Sequence, residues 1–225
     1  MLSQRIAFAL NILKWPLALL SLGLLPSCFL LLYEEAVRHL FDHHESRYLV
    51  IGVLGYGIVW YCFIRNLKIT FLSTLENEIT HCIFACLTFN RVVGLRATLR
   101  QGGLMTYVGH PNWLISLAPY FFPTCTVLLL LLGNFMHTLH YPWVLALVGA
   151  SLAYHATSTW TETHHAQTDL KDAGYLFSAL ILPSANLLAV AITLAILRDG
   201  SSGLIYCLQY LLHSPLNPLK LLPPR

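Results

Sequence analysis

Residues 76–81 read Glu76-Asn77-Glu78-Ile79-Thr80-His81, placing two carboxylates, an amide and an imidazole inside an otherwise apolar stretch. On an α-helix, positions 77 and 81 lie one above the other within ~6 Å. Glu78 stands ~100° around from Asn77, at the edge of the same face. This is the spacing of His-Glu-x-x-His, in which two imidazoles hold zinc and the glutamate takes a proton from water. Asn77 occupies the position of the first imidazole. Its amide oxygen suits a hard cation better than zinc, so the substitution weakens or removes zinc binding.

Chance alone gives roughly 0.3 Glu-x-x-His pairs in a chain of this make-up, and a second does occur at Glu162 and His165. The surroundings of the first pair distinguish it. Ionisable groups within a bilayer cost at least ~2–3 kcal/mol each, so they face protein or water and mark functional positions. A buried hydrogen-bonded Glu78–His81 pair with a purely structural role is the competing reading, and an intramembrane Glu/His proton relay of a transporter is a third.

The rest of the chain must position these groups. Its 225 residues are 56% hydrophobic and 10% charged, with mean hydropathy +0.64. A soluble domain carries roughly 25% charged residues, so the composition is that of a polytopic membrane protein. The apolar runs are continuous rather than alternating, which selects helices over a barrel. A net charge of +3 with scattered basic residues leaves no nucleic-acid footprint. The six cysteines show no disulfide framework and no paired Cys-x-x-Cys.

Against a spanning length of ~20 residues, six segments qualify, near 8–33, 48–67, 69–90, 112–133, 142–160 and 175–197. The first reads as a retained span rather than a removed signal peptide. The second and third are joined around Arg65 and Lys68 and are expected to pack as antiparallel neighbours. Residues 92–99 and 104–108 are β-capable runs flanking Arg100-Gln101-Gly102-Gly103, a turn signal, so a hairpin is expected over 91–110. Residues 204–212 read as a short amphipathic segment lying on the membrane, followed by a Pro-rich tail from Pro215. The expected fold is an all-α polytopic membrane protein of about six spans with a β-hairpin insertion. It divides into two N-terminal helices (1–68), a core (69–197), and the amphipathic segment with its tail (198–225).

Residues 76–85 resemble the active-site helix of the site-2 protease family of intramembrane metalloproteases, most of all a compact bacterial branch. The similarity continues through the hairpin from Arg91 to Val108, into Asn112-Trp113-Leu114-Ile115 and Ala118-Pro119-Tyr120-Phe121-Phe122-Pro123. It resumes at Gln167-Thr168-Asp169-Leu170 and Gly174-Tyr175-Leu176-Phe177-Ser178. The resemblance implies a zinc ion held by His81, by Asp169 from a later core helix (with Asp172 as second choice) and by residue 77; from the residues alone Asp169 is equally a helix N-cap or first-turn acid before the sixth span. Glu78 is then the general base for hydrolysis of a peptide bond in or near a transmembrane segment. Asn77 departs from the family pattern and implies a weak or inactive enzyme, or a pseudoprotease that binds transmembrane segments as a regulator or assembly partner.

The resemblance also gives the hairpin a role in presenting an extended substrate, with Gly103 and Thr106 on it, plain capping of the core helices being the alternative. Asn112 is an amide of the kind that hydrogen-bonds between membrane helices, to which the resemblance adds a role in orienting substrate. Glu76, Thr80 and His155 are candidates for lining the polar cavity, although a satisfied buried histidine is the stronger reading of His155. Pro119, Pro123 and Pro183 are expected to kink their helices. The partners implied are a transmembrane protein or peptide substrate and the lipid bilayer of a bacterial inner (plasma) membrane.

Overall fold

The computed structural model describes residues 1–42, 46–64, 71–98 and 102–213. The His43-His44 pair, the Arg65–Lys68 junction, the tip of the hairpin at Arg100-Gln101 and the Pro-rich tail lie outside the described residues. Helix α1 spans Leu2–Asp42 and α2 spans Ser46–Val59, with a π-helical turn at Trp60–Ile64. The motif helix α3 covers Phe71–Leu87, and strands β1 (Arg91–Thr98) and β2 (Gly102–Val108) follow it. Next come α4 (Trp113–Leu117), a 3-10 turn at Ala118–Tyr120, and α5 (Thr124–Phe135). The chain continues through α6 (Pro142–Glu162), α7 (Thr168–Ala173), α8 (Tyr175–Asp199) and α9 (Ser201–His213).

Among the described residues three helices are long and apolar enough to cross a membrane: residues 2–38 of α1, α2 with its π-turn, and α8. The bent pair formed by α4 with its 3-10 turn and α5 makes a fourth if it counts as one span. The six spans expected from the sequence are therefore not all matched by this measure. The motif helix α3 has 17 described residues, against the ~20 of a typical spanning helix. The C-terminal half of α6 is rich in polar groups from His155 to Glu162. The bend between α4 and α5 is 78°, and it falls where Pro119 and Pro123 bracket Phe121 and Phe122. Proline removes a helical donor and clashes with the preceding turn, so the break is where the sequence placed it.

Small and hydroxylated residues set the helix pairing. Ser21 Oγ on α1 donates to the Leu180 carbonyl at 3.2 Å, and Ser184 Oγ on α8 donates back to the Ser21 carbonyl at 2.7 Å. Helix α2 packs on α6 rather than on α3, contrary to the expectation drawn from the short 65–68 junction. The reason is steric: Gly52 lies against the Ala146 carbonyl and Gly149 against the Leu49 carbonyl, closer than any Cβ would permit. Two backbones that touch this way gain van der Waals contact where lipid tails offer no hydrophobic drive.

The two strands pair antiparallel, with a bulge between Val92 and Gly94. Met105 and Tyr107 on β2 turn toward α3 and pack beside Phe84, Ala85, Ile115 and Ala118. Asn90 ties the base of the hairpin: its Oδ1 accepts the His110 backbone N–H at 2.7 Å and its Nδ2 donates to Thr88 Oγ1 at 2.9 Å. A second apolar cluster joins Ala18, Trp113, Leu117, Tyr120, Leu170, Ala173 and Phe177, locking α7 against α1 and α4.

Candidate active site

A cavity of about 610 Å3 opens between α3, β2, the end of α6 and the segment through α7. Asn77, Glu78 and His81 form its α3 wall, Gly102 to Met105 with Tyr107 form the β2 side, and Asp169 and Asp172 project from α7. Residues distant in the chain therefore meet at one polar space.

His81 is buried, and its Nδ1 lies 2.8 Å from the Ile115 carbonyl oxygen. A carbonyl only accepts, so Nδ1 carries a hydrogen and Nε2 is the ring nitrogen turned to Asp169 and the cavity. Nε2 stands 3.6 Å from Asp169 Oδ2. That gap exceeds a hydrogen bond. It approximates the roughly 3.3 Å between two ligand atoms on one tetrahedral zinc with ~2.0 Å bonds. The Tyr120 hydroxyl, almost wholly buried, donates to Asp169 Oδ2 at 3.3 Å and fixes that carboxylate. Asp169 lies in the first turn of α7, where a helix N-terminus favours an anion. The helical and the cavity-facing readings of this residue hold together.

Glu78 is buried beneath β2 and receives a hydrogen bond from the Met105 backbone. A Cβ on Gly103 would overlap the Glu78 carboxyl group, so a larger residue there would push that side chain aside. Asn77 is turned by a different partner: its Nδ2 donates to Glu162 Oε2 at 3.1 Å, and Ser158 Oγ donates to Glu162 Oε1 at 3.3 Å. On the β2 side the Tyr107 phenol is held above its ordinary pKa by burial and, less strongly, by the negative charge of Asp172. It remains a neutral hydroxyl through the physiological range.

No family model, no curated protein and no solved structure matches this chain. The site is therefore read from its own chemistry. His81 Nε2 and Asp169 Oδ2 are spaced as two ligands of one cation would be, and Asn77 brings a neutral amide to the same cavity. Among the described residues no three His, Cys, Asp or Glu side chains are grouped as metal ligands. Two of the residues present thus fit a divalent cation, and the amide departs from what a tight zinc site uses.

The remaining sequence candidates fall elsewhere. Asn112 does not line the cavity; it caps α4, its Oδ1 accepting the Ile115 N–H at 3.1 Å. It thereby fixes the turn whose carbonyl orients His81, and its buried Nδ2 has no partner among the described residues. Thr106 is exposed and paired with Gly94, on the hairpin face opposite Met105 and Tyr107. Glu76 and Thr80 hold α3 to α5 instead of lining the cavity. Glu76 Oε1 accepts the Cys125 N–H at 2.9 Å, and Thr80 Oγ1 meets Thr124 Oγ1. His155 pairs with Asn186 at 3.2 Å as a satisfied buried histidine. Sequence reasoning missed Tyr120 and Glu162 as supports of the site. The signal for Glu162 was its own Glu-x-x-His pair at the end of a helix, set aside as a chance match.

Proposed function

We propose that this chain is a site-2-protease-like intramembrane peptide hydrolase, weakened at its third ligand position by Asn77. The supporting observation is that Glu78, His81 and Asp169, taken from two helices far apart in the chain, line one cavity beneath a strand edge. In this reading His81, Asp169 and Asn77 hold the cation. Bound there, a divalent cation would lower the pKa of a water molecule and polarise a scissile carbonyl. Glu78, buried against the same cavity, takes a proton from water on its carboxylate and returns it to the departing amine. The Met105 N–H, already directed at Glu78, belongs to a strand that an extended peptide can extend by backbone pairing. A substrate helix unwound along β2 would place its carbonyl over Glu78, with Gly103 giving the room. The substrate is a transmembrane protein or peptide, and by resemblance the membrane is a bacterial plasma membrane.

The hydrogen bond from Asn77 to Glu162 is also consistent with a second reading. The amide at position 77 has its own carboxylate partner, as a settled feature of a non-catalytic scaffold would. Such a pseudoprotease binds transmembrane segments without cutting them. One comparison separates the two. Zinc content and cleavage of a model transmembrane substrate are measured for the purified protein and for Asn77→His. The hydrolase reading predicts stoichiometric zinc and cleavage in Asn77→His, with less of both in the parent. Absence of zinc and of cleavage from both proteins would replace it with the binding-protein reading.

A further inference from the structure

The contact between Asn77 and the end of α6 extends the proposed function and rests on it. An amide presents two faces of opposite character, a donor nitrogen and an acceptor oxygen. Glu162 settles which face goes where. Its Oε2 takes the Asn77 N–H at 3.1 Å while its other oxygen is held by Ser158, one turn earlier on α6. A flipped amide would set oxygen lone pairs against a carboxylate that is itself anchored, so the flip is disfavoured. Asn77 lines the same cavity as His81 and Asp169, and among the described residues its Oδ1 accepts no hydrogen bond.

We propose that Glu162 is a positioning residue that presents Asn77 Oδ1 as a cation ligand beside His81 and Asp169. The site would then take a divalent ion through one nitrogen and two oxygens, and admit manganese as well as zinc. A carboxylate behind a ligand is how metal sites fix ligand orientation and raise ligand basicity. Exchange of an imidazole for an oxygen moves a donor set toward harder ions.

The test is equilibrium titration of the full-length protein in detergent with Mn2+ and with Zn2+, the Mn2+ arm followed by its paramagnetic resonance signal. The parent is expected to bind both ions, and His81→Ala to abolish binding. Glu162→Ala is expected to weaken Mn2+ binding about 10- to 100-fold. Glu162→Gln, whose amide oxygen can still accept the Asn77 N–H, retains most of it. In an Asn77→Asp background there is no N–H to hold, and removal of Glu162 no longer weakens binding. A merely structural role for Glu162 would not follow that cycle. His81-dependent binding that is equal in the parent and Glu162→Ala overturns this inference while leaving the hydrolase reading intact. The same loss in the Asn77→Asp background also overturns it. Failure of both the parent and Asn77→His to bind either ion through His81 removes the inference and the hydrolase reading together.

Discussion

Arg198 and Glu35 meet at 2.6 Å with the carboxylate wholly buried, whereas His81 and Asp169 stand 3.6 Å apart at the wall of a cavity. The first pair closes one end of the molecule. It joins the last turn of α8 to α1, with Asp199 2.7 Å from the same guanidinium and the Tyr206 hydroxyl of α9 donating to Glu34 at 2.9 Å. The second pair has supports behind it, the Ile115 carbonyl and the Tyr120 hydroxyl, but open space in front. A sealed contact spends its charge on holding helices together. A spaced one leaves a lone pair and a carboxylate oxygen available to a third party. Both pairs cross long stretches of sequence, so the separation and the cavity, rather than the pairing itself, set the candidate site apart.

This contrast can be broken from either side. The largest effect is expected at the sealed end. Glu35→Ala leaves a buried guanidinium with only Asp199, and should cost about 3–5 kcal/mol in reversible unfolding in detergent. The cavity pair should scarcely notice, with zinc uptake by Asn77→His retained in the molecules that remain folded. A smaller effect, confined to the cavity, is expected from Gly103→Ala. The added methyl group displaces the Glu78 carboxyl, and a misplacement of that size costs on the order of 100-fold in rate. Cleavage by Asn77→His should fall accordingly while its zinc content stays constant. Equal cleavage with and without the methyl group would mean that Glu78 is not the base. The smallest effect is expected at Tyr120→Phe, which removes one support from Asp169. Zinc affinity of Asn77→His should drop about 10-fold and stability by about 1 kcal/mol, read by competition with a chelator and by thermal unfolding.

Much of the site's local structure was legible in the sequence because it depends on short-range patterns. The spacing of residues 76–81 gave a helix with one polar face, the glycine-containing turn between two β-capable runs gave the hairpin, and Pro119 with Pro123 marked the break. What stayed hidden depends on contacts between distant segments. Gly52 and Gly149 look like any glycines in apolar helices until their backbones are seen against Leu49 and Ala146. Asn112 carried an amide suited to substrate, yet its position just ahead of α4 makes it a cap. Thr106 sits between Met105 and Tyr107 on β2, and strand alternation turns it to the opposite face. Among the described residues three helices are long and apolar enough to cross a membrane, while α3 and α6 carry the polar groups that build and buttress the cavity.

The central claim is that His81 and Asp169 face one cation position that residue 77 completes. The visible absorption spectrum of Asn77→His loaded with Co2+ tests it most directly. Intense d–d bands of a four-coordinate ion are expected, vanishing in Asn77→His combined with Asp169→Asn and in Asn77→His combined with His81→Ala. A Co2+ spectrum indistinguishable from the aqueous ion, or bands that survive loss of Asp169, would contradict the account.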